Sequence, residues 1–253
     1  MDPATAVGLI ALAFGVGAYG TIIGAGGGFV LIPGLVLLFG LDGVEAVGTG
    51  AVILAVIGLT GAVAYDRRGL VDRQVAASFA LGSVPLALLA SSLLAARIDS
   101  TVFIALLGFI LLALAVFVVV VPPIVEDGSP PNPPMRDVLG LSGAAIGTMS
   151  GLFAVGGGLV TVPLLSRVQH LPAHRATATT SAAMSLSGLA AAIGHTLAGN
   201  VQWSKAAVMM AAAFVGSSIG ARAAGRLSAR VVLVLLATGL VAAGVPLLVE
   251  ALT

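Results

Sequence analysis

The sequence predicts an all-α polytopic membrane protein made of two inverted repeats, each a glycine-tipped helical hairpin followed by three transmembrane helices. Three observations predict it. First, 59% of the 253 residues are apolar and only 8% are charged, with a mean hydropathy of +1.17. A soluble domain carries about a quarter charged residues, so this chain lacks the polar surface to stay in solution. Second, apolar runs of about twenty residues, the thickness of a bilayer, follow one another along the chain. Third, Gly26-Gly27-Gly28 recurs 130 residues later as Gly156-Gly157-Gly158, each triplet inside a long apolar stretch.

Each element can be justified in order. The first hairpin covers about Pro3–Leu41 and bends at its glycines, because each glycine costs a helix roughly 1 kcal/mol relative to alanine. Two complete crossings need about 40 residues at 1.5 Å per residue. This hairpin barely has that many, so shortened helices meeting at a tip within the membrane are expected. Three helices follow, at about Gly48–Tyr65, Val75–Ala96 and Thr101–Val121. The segment Pro122–Arg136 (PPIVEDGSPPNPPMR) holds six of the twelve prolines. It is incompatible with a membrane helix and reads as an extended, solvated linker. The second hairpin spans about Val138–Gln169, with helices at about Ala176–Leu197, Lys205–Leu227 and Val231–Leu252. The domains are then a first repeat (1–121), a Pro-rich cytoplasmic linker (122–136) and a second repeat (137–253). At the same offset of 130, Pro33 meets Pro163, Thr49 meets Thr179, and Gly58-Leu59 meets Gly188-Leu189. Gly69-x-Val71 likewise meets Gly199-x-Val201. The glycine, proline and threonine matches carry this internal duplication, because alanine and leucine identities are common by chance in membrane chains.

Parity sets the symmetry. A hairpin returns to its own side, so each half makes a net three crossings and the second half is inverted. With both termini outside, nine of the eleven basic residues lie inside and only Arg97 and Lys205 outside, in accord with the positive-inside rule. A competing arrangement of eight helices, with each glycine segment as an external loop, splits the same residues almost evenly. Inversion brings the two glycine tips into the membrane from opposite faces towards a shared centre.

Irregular backbone at membrane depth must be buried in protein or line a polar cavity, and a matched pair of breaks points to a transporter's binding site. The returning arms begin at Phe29 and Leu159, where unpaired N–H groups and a positive dipole end favour an anion. The triplets Gly26, Gly27, Gly28 and Gly156, Gly157, Gly158 let an anion approach the backbone. Beside them lie the openings of the next helices, Gly48-Thr49-Gly50 in one half and Ala178-Thr179-Thr180-Ser181 in the other, whose hydroxyls can donate to oxyanion oxygens. The simpler alternative is that the triplets are helix-packing contacts and the hydroxyls bond their own helices. No carboxylate falls in the middle of a span, so the core is neutral and suited to an anion.

These motifs resemble the TauE/SafE family, the sulfite and organosulfonate exporters of prokaryotic membranes. The similarity lies in GxGGG-x₄-P (Gly24 to Pro33), its echo VGGG-x₄-P (Val155 to Pro163), the threonine-bearing helix starts and GSSIGARAAGRL (Gly216–Leu227). It covers essentially the whole chain and implies a secondary transporter of a small sulfur-containing anion, moved without ATP. One departure stands out. Val44-Glu45 in the first half faces His174-Arg175 in the second, and only Thr49 stands opposite Thr179-Thr180-Ser181, so the half-sites are chemically unequal. An importer of such an anion and a passive anion channel are the alternatives.

Other expectations follow from composition. The net charge of +1 offers nothing to nucleic acid, and with no cysteines there is no disulfide or thiolate metal site. No metal, cofactor or catalytic residue is expected. The partners are the anion and the lipid bilayer, with a homo-oligomer compatible with the sequence, and the place is a prokaryotic plasma membrane. A cleaved signal peptide is not expected, because Met1-Asp2-Pro3 carries no basic n-region. Gly15-x-Gly17-x-x-Gly20 matches a dinucleotide fingerprint but lies in a membrane helix. Gly216-Ser217-Ser218-Ile219-Gly220 matches a nucleophile elbow, with His195 as a conceivable base, but reads more simply as a Gly-x-x-x-Gly packing face. His170 and His174 have the spacing of a metal pair, but Pro172 between them favours a solvated turn.

Overall fold

The structure, a computed structural model, describes residues 2–24, 26–120, 136–155, 157–223 and 229–252. Gly156 and, apart from Arg136, the Pro-rich linker lie outside these residues. The described residues form helices and turns, with no strand among them.

Helix α1 (Pro3–Ile23) starts with Pro3 at its first position, and the Asp2 carboxylate accepts the Thr5 N–H at 2.6 Å. It ends where Gly24 turns left-handed (φ +76°), and Gly26 and Gly27 keep positive φ (+79° and +81°) before α2 (Gly28–Leu37) returns. A side chain at these angles would be strained, which is the local reason for glycine here. Asp42 caps α3 (Gly43–Asp66) by accepting the Val44 N–H at 3.1 Å. Asp72 caps α4 (Arg73–Leu89), which runs into a π turn (Ala90–Leu94) and a 3₁₀ turn (Ala95–Arg97) before α5 (Ser100–Val120). The second half repeats the order: α6 (Arg136–Phe153), α7 (Gly158–Val168), α8 (Ala173–Leu197), α9 (Trp203–Ala223) and α10 (Ala229–Leu252). Among the described residues, seven helices are long and apolar enough to cross a membrane.

This is the predicted order of a hairpin and three helices, twice, with two differences. The hairpins are lopsided rather than symmetrically short. At 21 residues α1 is long enough to cross alone, whereas α2 has 10 residues and α7 has 11. In the first half the glycine break falls after a full apolar run and only the return arm is shortened. In the second half the outbound arm, apolar over Asp137–Phe153, is itself too short to count among the seven. Helix α3 also starts at Gly43 rather than Gly48, because Asp42 and Glu45 form a capped, acidic first turn.

The halves pack through one another. Helix α1 lies along α9 and α6 lies along α4, so each hairpin is held by a helix of the other half, while α3 packs on α8 and α5 on α10. Glycines set these approaches. Gly216 and Gly220 sit against the Phe14 and Ala18 carbonyls of α1, while Gly143, Gly147 and Gly151 sit against the Phe79, Ser83 and Ala87 carbonyls of α4. Close backbone approach of this kind holds helices together in lipid, where hydrophobic burial between them drives little. Helices α5 and α10 run antiparallel: Gly108 lies against Gly244 and Leu248, and Gly244 against Leu112. Buried rings fill the remaining space, with Phe103 and Phe153 centroids 5.0 Å apart.

Candidate functional site

The two hairpin breaks meet. A Cβ at Gly28, the first residue of α2, would overlap the carbonyl oxygen of Ala154, just beyond the end of α6, and would lie 2.8 Å from Leu54 Cδ1. Ala154 holds a left-handed φ of +46°. It stands 130 residues after Gly24, so both outbound arms end in the same backbone conformation although only one of them has glycine there.

Beside this meeting point lies a partly open cavity of about 50 Å³. Its walls are built from repeat-equivalent pairs: Gly20 with Ser150, Gly24 with Ala154, Ala51 with Ser181, Leu54 with Met184, Gly58 with Gly188 and Gly61 with Ala191. Thr21, Gly26, Ile57 and Gly158 complete the lining. Among the described residues, no charged side chain lines it. The polar groups that do are three hydroxyls and the backbone at the two breaks. Thr21 Oγ1 donates to the Gly17 carbonyl at 2.8 Å and lies 2.9 Å from Ser217 Oγ, which itself reaches the Ile57 carbonyl at 3.2 Å. Ser181 Oγ donates to the Thr177 carbonyl at 2.9 Å.

Of the residues singled out from sequence, Gly26, Gly158 and Ser181 line this cavity. Gly27 is buried against Val16 and Gly28 against Ala154, and Gly157 is half-buried beside Ile146 and Met184. Gly156 lies outside the described residues. Gly50 packs on Ile32, and Thr180 is fully buried with no hydrogen-bond partner for its hydroxyl among the described residues.

Thr49 and Thr179 do not line the cavity. Both are fully buried, and each hydroxyl accepts a backbone N–H from the opposite half, Thr49 from Gln202 at 3.0 Å and Thr179 from Asp72 at 3.0 Å. Those N–H groups sit just before α9 and α4, so the matched threonines tie each core helix to the start of a helix in the other repeat. Helix phase explains the placement. The cavity face of α8 runs through Ser181, Met184, Gly188 and Ala191, and a residue two positions before Ser181 points to the other side of the helix. Gln202 Nε2 adds a 2.8 Å bond to Glu45 Oε1 on the same side of the molecule as Thr49.

Thr21 and Ser150 escaped the sequence reading because it looked downstream of the glycine triplets, whereas these residues lie one turn upstream, on the outbound arms. The offset of 130 could have found Ser150, since it aligns with Gly20 on the face of α1 that meets the break.

Comparison with known proteins bears on the whole chain. A probable membrane transporter protein of Bacillus subtilis, YunE, is 23% identical over 265 residues, covering 96% of this chain and 97% of its own. A probable membrane transporter protein of Xylella fastidiosa is 27% identical over 225 residues, covering 88% of this chain and 84% of its own. A third, from Methanocaldococcus jannaschii, is 27% identical over 197 residues, covering 75% and 72%. No solved structure matches. The family described as sulfite exporter TauE/SafE matches residues 9–247, both hairpins and the cavity between them included, and the chain belongs to that family of membrane transporters.

Proposed function

We propose that the protein is a secondary transporter that exports sulfite or a related small organosulfur oxyanion, held at the cavity between the two hairpin tips. One observation carries the reading: among the described residues the cavity lining is uncharged, is walled by repeat-equivalent pairs, and lies where two helix breaks converge. The starts of α2 and α7 bring N–H groups without intrahelical acceptors and the positive ends of two helix dipoles. These favour an anion with no fixed cation to hold it too tightly. Gly26, Gly27, Gly28, Gly157 and Gly158 form the backbone of the site, with Gly156 assigned to it from the sequence repeat alone. Ser150 brings a hydroxyl to the anion's oxygens, and Ser181 does so by turning its O–H away from the Thr177 carbonyl. Thr49, Gly50, Thr179 and Thr180 support it from behind.

The two repeats are inverted in the plasma membrane, with both termini outside and the Pro-rich linker in the cytoplasm. The antiparallel course of α5 and α10 supports the inversion, and the placing of nine of the eleven basic residues on one side supports the orientation. Alternating access follows from rocking one repeat against the other around the shared centre.

The test is uptake of labelled sulfite into proteoliposomes, with sulfate, thiosulfate and sulfoacetate as unlabelled competitors. Saturable uptake, stimulated by sulfite inside the vesicle, is expected. Uptake that never saturates would make the protein an anion channel, and no uptake into tight vesicles would remove sulfite as the substrate.

A further inference from the structure

The outbound arm of each hairpin ends inside the protein, and a helix end leaves its last carbonyls short of donors; the Thr21 carbonyl takes only a long bond from the Gly24 N–H, 3.3 Å. In the first half, the Tyr65 hydroxyl donates to the Thr21 carbonyl at 3.3 Å. In the second, His195 Nε2 lies 2.9 Å from the Gly151 carbonyl. Thr21 and Gly151 are 130 residues apart, and so are Tyr65 and His195. Two different rings therefore do the same thing at equivalent places: each reaches from the last turn of a core helix, α3 or α8, to the last turn of an arm that bounds the cavity. Both rings are buried. Neither residue belongs to the site proposed above, and the two share no side-chain chemistry beyond a donor at the end of a flat ring.

The histidine's tautomer follows from its partners. A carbonyl only accepts, so Nε2 carries the hydrogen. Nδ1 is then a lone pair, and Asn200 Nδ2, 3.3 Å away, is the donor to it. Asn200 lies in the turn before α9, against Gly48 of α3 and beside the Gln202 N–H that Thr49 accepts. His195 thus joins three parts of the molecule: the α6 end at the cavity, the core helix α8, and the turn that leads into α9.

We infer that Tyr65 and His195 are a matched pair of positioning residues that fix the two hairpin ends around the anion cavity. Each acts through the carbonyl it holds, and neither touches the anion. The inference rests on the proposed transport function for its effect on uptake, but its geometry can be tested without any substrate. The chain has no cysteine of its own, so Ser150→Cys places a single thiol on the cavity wall, next to Gly151.

In that background, His195→Leu should change the labelling rate of the introduced thiol in detergent at least fivefold, while His195→Gln, whose amide reaches the same carbonyl, should stay within twofold of the parent. If His195→Leu fails to accumulate, His195→Asn, whose amide stops short, takes its place. With Ser150 intact, Tyr65→Phe and His195→Leu should each raise the KM for labelled sulfite about tenfold at an unchanged amount of membrane protein, with His195→Gln restoring it. Equal labelling rates in the Leu (or Asn) and Gln variants overturn the inference whatever uptake shows. If the parent protein carries no sulfite, the substrate reading fails, and the labelling ratio alone still decides this one.

Discussion

Gly28→Ala is the smallest substitution that should separate the two halves of the site. The added methyl would overlap the Ala154 carbonyl oxygen and crowd Leu54 Cδ1 at 2.8 Å, where real Cβ atoms essentially never come within 3.0 Å. The obstacle is backbone on the opposing hairpin, so no rotamer change relieves it, and the tips must part by about 1 Å. Overpacking of this kind costs about 1–3 kcal/mol, and every 1.4 kcal/mol is tenfold in an equilibrium. The closed arrangement of the tips should therefore be disfavoured by about 5- to 150-fold. The assay is the initial rate of labelled sulfite uptake below saturation, normalised to reconstituted protein, and the expected fall is at least fivefold. Gly15→Ala is the control, since nothing stands within 4 Å of its new methyl and a helix gains from alanine. Wild-type uptake by Gly28→Ala, or an equal loss in Gly15→Ala, would refute the meeting of the tips as a functional contact.

Three further outcomes are expected. Thr49→Val and Thr179→Val each leave a part-buried N–H without its acceptor, at a cost of about 1 kcal/mol. Both should lower the thermal midpoint in detergent, and Thr→Ser at either position should recover most of the loss. Ser150→Ala and Ser181→Ala should each raise the KM for the anion about fivefold, the worth of one hydrogen bond, with little change in thermal midpoint. Finally, cysteines introduced as Gly69→Cys and Gly199→Cys occupy equivalent exposed turns, both with positive φ and open space around them. An impermeant thiol reagent added outside intact cells should label the second and spare the first; labelling of both or neither contradicts the inversion.

Much of this architecture was legible in the sequence because the constraint that shapes it is written in residue type. Glycine at Gly24, Gly26 and Gly27 is demanded by positive φ, and helix lengths are set by the bilayer, so the order of elements came out correctly. The boundary that shifted most did so at a polar cap: Asp42 caps α3, which begins at Gly43 rather than at the expected Gly48. What stayed hidden depends on rotation about a helix axis. Thr49 and Thr179 are conspicuous as matched residues, but two positions separate Thr179 from the cavity face that Ser181 occupies. The matched hydroxyls serve the joint between halves, and the cavity takes the less symmetrical Thr21, Ser150 and Ser181. Tyr65 and His195 were hidden for the opposite reason. Their role is repeated while their identity is not, and an offset comparison that scores only identical residues passes over them.

The reciprocal packing of α1 on α9 and α6 on α4 has a consequence for how the protein is made. About 180 residues separate the end of α1 from the start of α9. At about 5–20 residues per second, the first hairpin waits about 10–40 s for the surface it packs against. During that interval its glycine-studded face has only lipid, or an insertion factor, for company. A first repeat synthesised alone should remain an incomplete fold, and the two repeats expressed as separate chains should recover transport only when made together. The same contacts suggest an origin in which two copies of one short chain lent each other their hairpins before a linker joined them.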